Sequence, residues 1–161
     1  MKLFHFTRCL FVLAGVQLLI VSNVVAEEKK VDPKSIYARL GGAPAIDAAV
    51  ELFYKKVLAD DTVNHFFEDI NMKAQRRKQK EFLGAAFGGP NPWTGKDMRK
   101  AHKNLDLTDE HFAAIAGHLA ATLKDLKVDE KLTTEIMTAV ASMKNEVMNR
   151  DPKKEAAAKS E

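Results

Sequence analysis

The chain reads as an all-α protein, and three observations say so. Apolar residues recur three and four apart through four long segments, no run alternates with period two far enough to make a sheet, and the joints carry helix breakers. The breakers are Gly41-Gly42 and Gly88-Gly89-Pro90-Asn91-Pro92. Ser35 to Leu40 is about one helical turn, closed by the first glycine pair. Pro44 then opens a helix, where a missing N–H and a fixed φ do no harm. Its stripe is Ile46, Val50, Phe53, Tyr54, Val57 and Leu58, and Asp60-Asp61 ends it. Thr62 to Phe67 is a short turn that delivers Phe66 and Phe67 inward. Asn71 caps the next helix, whose inner side at 100° per residue holds Met72, Gln75, Gln79, Phe82, Leu83 and Ala86. A short helix is expected around Asp97 to Leu105. Thr108 caps a long one, with Asp109 and Glu110 favoured in its first turn and Phe112, Ile115, Ala116, Leu119, Leu123 and Leu126 on its core side. Asp129 opens the last long helix, with the stripe Leu132, Ile136, Val140, Met143 and Val147, and Pro152 stops it.

The 161 residues divide into four stretches. Residues 1–26 read as a signal peptide: Lys2 and Arg8 precede an apolar run from Leu10 to Val21, and Val24-Val25-Ala26 offers a cleavage site. An uncleaved membrane anchor is the alternative, since the run approaches the lower limit of a spanning helix. Residues 27–34 form a charged linker, 35–150 a single domain, and 151–161 a charged, Ala-rich, solvated tail. The expected destination is the periplasm, with no membrane contact once the leader is cut. The only cysteine, Cys9, falls in the leader, so the mature domain has no thiol for a disulfide, an iron–sulfur cluster or a thioether link. Losing Lys2 and Arg8 lowers the formal charge from +3 to +1. That balance speaks against a nucleic-acid binder, which carries a strong basic bias.

Two amides on an apolar helix face are costly to bury unpaired, at roughly 1–3 kcal/mol each. Gln75 and Gln79 therefore imply a polar guest or a neighbour that takes their hydrogen bonds. His102, with Met98 one turn before it, also faces inward. Each has a bland reading: a lone inward histidine is ordinarily a satisfied core residue, and Tyr54 beside Phe53 can be plain core. Together they make a kit. A neutral imidazole can hold a haem iron from one side, while a phenol and two amides meet a small ligand on the other. Phe66, Phe67, Phe82, Phe87, Trp93 and Met98 are candidates for flat apolar walls. His111 and His118 could bind a stray metal, but no third ligand joins them at regular spacing, so they read with His65 as surface or rim histidines. Arg76, Arg77, Lys78 and Lys80 read as a solvated helix face that could also meet an acidic redox partner.

These motifs, in order, are Gly41-Gly42, Leu52-Phe53-Tyr54, His65-Phe66-Phe67, Gln75 with Gln79 and Phe82, Phe87-Gly88-Gly89, Met98 through Lys103, and Leu107 through Phe112. They resemble the truncated haemoglobins of group I across roughly Ile36 to Asn149. The resemblance implies a two-over-two helical sandwich around a non-covalent haem b. It implies that His102 is the proximal iron ligand, that Tyr54 is the distal donor, and that Gln75 and Gln79 are the paired distal amides. Phe53 and Ile115 join the wall residues as expected cofactor contacts. Three departures matter. Lys78 stands at the rim of the distal face, where some relatives place an alternative iron ligand. Met143 occupies the region where certain members carry a haem-linking histidine, and the connection from Lys103 to Leu107 is short compared with many relatives, which bears on the proximal loop. The implied activity is reversible binding of O2, NO or another diatomic, serving NO detoxification to nitrate with electrons from a small redox protein. A six-coordinate electron-transfer or redox-sensing protein with Lys78 as sixth ligand is the alternative, and a helical adaptor without haem is a third reading.

Overall fold

The computed structural model describes residues 30–151. The expected signal peptide, residues 27–29 of the linker and residues 152–161 of the tail lie outside them.

Ser35 caps α1 (Ile36–Leu40) by accepting the Ala38 N–H at 3.1 Å. Gly41 closes it with φ 109°, a left-handed conformation that a side chain would strain. The next helix, α2 (Gly42–Val57), begins at once. Pro44 thus sits within the first turn rather than opening it. The first four N–H groups have no intrahelical acceptor, so the missing donor costs nothing there either. A 3₁₀ turn, Asn64–Phe67, follows. Asn71 then accepts the Ala74 N–H at 3.0 Å and starts α3 (Met72–Ala86). Gly89 ends this region by donating to the Gly84 carbonyl at 2.8 Å, an approach so close that a Cβ at Gly89 would lie 2.6 Å from that oxygen.

Asp97 caps α4 (Met98–His102), which is shorter than the Asp97 to Leu105 expected. Thr108 opens α5 (Asp109–Asp125) with a capping box: its hydroxyl accepts the His111 N–H, and the His111 ring nitrogen accepts the Thr108 N–H. The last expected helix is in fact two, α6 (Glu130–Ser142) and α7 (Lys144–Val147). They part at Met143, whose N–H bonds three residues back, to Val140, instead of four.

α2 packs on α3, α5 packs on α6, and α2 crosses α5 to join the pairs, giving two helices over two. α1 closes one end against α2 and α6, where Arg39 and Glu135 form a two-pronged ion pair. The closed core is Ile46, Val50, Tyr54, Leu83, Phe87, Leu123, Leu132 and Ile136. Two inward assignments fail. Ala86 is exposed, and so is Leu126, which follows the last residue of α5 and has no helix left to hold it inward. In their place Thr122 is fully buried, its hydroxyl satisfied by the His118 carbonyl at 2.8 Å.

Candidate functional site

Tyr54 lies where α2 meets α3. It is 2% exposed, and its oxygen accepts a hydrogen bond from Gln75 Nε2 at 3.1 Å. Because that oxygen accepts, the phenol keeps its own proton to give elsewhere. Phe53 and Phe67 meet its ring edge-on, at 5.2 and 5.6 Å between centroids. Burial pushes the Tyr54 hydroxyl above its ordinary pKa, and the Gln75 amide and the Arg76 cation pull it back. Gln79, one turn beyond Gln75, is half-buried, and its side-chain amide makes no hydrogen bond to the described residues. Lys78 is exposed on α3.

Arg76 and Lys80 are not the solvated face expected of them. Both are half-buried: Arg76 Nε lies 3.2 Å from Glu51 Oε2, and Lys80 Nζ lies 3.0 Å from Glu51 Oε1 and 3.5 Å from Asp47 Oδ1. Rising numbers on α3 meet falling numbers on α2, from Tyr54–Gln75 through Glu51–Arg76 to Asp47–Lys80. The two helices therefore run in opposite directions, held by rungs of opposite charge.

His102 ends α4. Its Nδ1 lies 2.8 Å from the Met98 carbonyl. A carbonyl only accepts, so Nδ1 is the protonated nitrogen and Nε2 carries a free lone pair. α4 packs chiefly on α7. Both terminal nitrogens of Arg99 donate to the Arg150 carbonyl at 3.2 Å, and Asn149 Nδ2 donates to the Arg99 carbonyl at 3.2 Å. Arg150 in turn grips Asp109 at the start of α5, at 2.7 and 3.0 Å, and Lys144 adds a contact at 2.6 Å.

The other expected residues divide. Phe67 joins Tyr54, whereas Phe66 packs at 4.9 Å on His111, with His65 beside it. Phe82 meets Trp93 edge-on at 5.7 Å, and the Trp93 indole N–H donates to the Lys96 carbonyl. Phe87 is sealed in the closed core, while Met98 and Ile115 are half-buried. His118 is held by Asp60, 2.6 Å away, and among the described residues no three or more His, Cys, Asp or Glu side chains could hold a metal ion.

Haem needs a nitrogen lone pair for its iron and an apolar cradle for its ring. The Nε2 of His102 could serve as the first. Phe53, Phe67, Phe82 and Leu119 could serve as the second: they pack against the core and are only partly covered by the chain itself. The residues present fit the group.

Paired helices, a lone-pair imidazole and an apolar cradle define a globin. The bacterial-like globin family matches residues 35–149. A group 1 truncated haemoglobin of Chlamydomonas moewusii is 51% identical over 119 residues, covering 73% of this chain and 70% of that one. Its counterpart in Tetrahymena pyriformis is 44% identical over 118 residues, covering 73% and 98%. The crystal structure of the 2/2 haemoglobin from Synechococcus sp. PCC 7002, in the cyanomet state with covalently attached haem, superposes with a TM-score of 0.69. It is 48% identical and covers 72% of this chain and 99% of that one. The chain belongs to the bacterial-like globins and is similar throughout its domain to group 1 truncated haemoglobins. Its cofactor is haem, and its ligands are diatomic gases such as O2.

Proposed function

We propose that His102 holds haem b through Nε2, without a covalent link, and that Tyr54 backed by Gln75 and Gln79 retains a diatomic ligand on the other side. When bound, haem supplies a redox-active iron at which such a ligand attaches. Tyr54 supplies the proton end of a hydrogen bond aimed at it. Gln75 holds the phenol oxygen by donating to it, which leaves this proton unshared. The Nδ1 contact to Met98 fixes the imidazole tautomer and orientation. A relative from Tetrahymena pyriformis, crystallised in its Fe(III) form, was also studied with a tyrosine and either of two glutamines replaced, the residue types this site carries.

Tight retention of O2 suits a scavenger better than a shuttle. The fitting net reaction joins NO, O2 and one electron into nitrate, the electron coming from a small redox protein. Export behind residues 1–26 sets this in the periplasm, where nicotinamide reductants are scarce. N-terminal sequencing of the secreted form checks the cut after Ala26.

The observation that carries the reading is the buried phenol whose oxygen is occupied and whose proton is not. A hydrogen bond to a charged acceptor contributes about 1.5–3 kcal/mol, so Tyr54→Phe should speed O2 dissociation about ten- to hundredfold in stopped-flow mixing. An unchanged rate would refute the role. His102→Ala, prepared without imidazole, should lose the Soret band.

A further inference from the structure

We propose that Arg76 is a positioning residue of the ligand face: its guanidinium, anchored by Glu51, holds and polarises the Tyr54 phenol. The inference rests on the reading of Tyr54 just given. Arg76 Cζ lies 5.9 Å from the centroid of the Tyr54 ring, within reach of a cation–π contact. Its Nε is buried and makes no hydrogen bond, although Glu51 Oε2 is 3.2 Å away as an ion pair. An arginine present only for solubility would keep that nitrogen in water. This one instead gives up a hydrogen bond to lie against an aromatic ring.

The anchoring extends further. Glu51 also takes Lys80, and Lys80 reaches Asp47, so one charged ladder fixes α2 against α3 on the side where Tyr54 lies. Gln75 and Arg76 are consecutive. One turn of α3 thus delivers an amide to the phenol oxygen and a cation to the phenol ring. The cation stabilises the charge of the phenolate and so opposes the effect of burial, which makes the hydroxyl less acidic. A more acidic phenol is a stronger donor, and the ligand it holds leaves more slowly.

The chain has two tyrosines, so Tyr37→Phe leaves Tyr54 as the single phenol. In that background, with ring carbon-13 tyrosine and the ferrous carbonyl form, the NMR shift of Cζ across alkaline pH reports when the phenol ionises. Arg76→Gln should raise the midpoint by about half a pH unit and speed O2 dissociation about two- to threefold. Arg76→Lys, which keeps the cation, should restore both. Should the glutamine variant not fold, Arg76→Met keeps the apolar stem and carries the same comparison. The proposal is overturned if midpoint and rate stay at the parent values, or if lysine restores neither. The two readings fail separately: an unchanged O2 rate in Tyr54→Phe sinks the phenol's role, while the midpoint series still judges Arg76.

Discussion

At Tyr54 two opposed influences meet, burial that keeps the phenol protonated and a polar pair, Gln75 and Arg76, that keeps it a good donor. Tyr54 and Gln75 were legible in the sequence because each is a polar tip at an apolar helical position, and such placements need partners. Arg76 was not. Helical angles assign a residue to a side of its own helix and say nothing of the neighbour, and here α2 covers what looked like a solvent side. The signal lay in matched spacing: acids at Asp47 and Glu51, four apart, opposite cations at Arg76 and Lys80, also four apart. Lys78, exposed one residue before Gln79, gives a clean test. Lys78→Ala should leave the ferric absorption spectrum unchanged, whereas loss of a low-spin spectrum would make that lysine an iron ligand.

Among the elements, α4 is the one whose placement the sequence conveyed least. Its inward histidine was visible, but its attachment was not, because the stripe from Leu132 to Val147 looks continuous and hides the break at Met143. That break frees α7 to pack on α4. Hydrogen bonds from Arg150 and Lys144 hold the Asp109 carboxyl far below the usual carboxylate range. Its folded pKa is depressed, so the stabilisation is complete above the unfolded value near 3.9 and fades as pH falls below it. Asp109→Asn should therefore melt lower than the parent at neutral pH, with the gap narrowing steadily as pH falls below about 4. Because the carboxylate is exposed, molar salt should narrow the gap as well. Thermal scans across pH at low and high salt test both statements. Asp60, whose pKa is lowered by the Thr62 N–H and then by His118, should add to the same acid weakening.

For the whole molecule, helix order followed from periodicity and breakers, save for the break at Met143, while the pairing into two layers came from resemblance and then from the structure, since spacing on one helix does not name its partner. The partly uncovered apolar side chains of Phe53, Phe67, Phe82 and Leu119 leave surface that a bound haem would finish covering. A ligand bound only by the native state stabilises it by mass action, so haem-free protein should melt well below the loaded form and bind more of a dye that seeks apolar surface. Calorimetry of both forms decides this. With neither a cysteine in the described domain nor a histidine at Met143, acidified butanone should extract the pigment completely. The bonds from Arg99 to Arg150 and from Asn149 to Arg99 carry one practical consequence. On the proposed ligation by His102, a chain cut back to Met148, or a purification tag fused there, would slacken the hold of α4 on the haem, so pigment would leak from it faster into apomyoglobin.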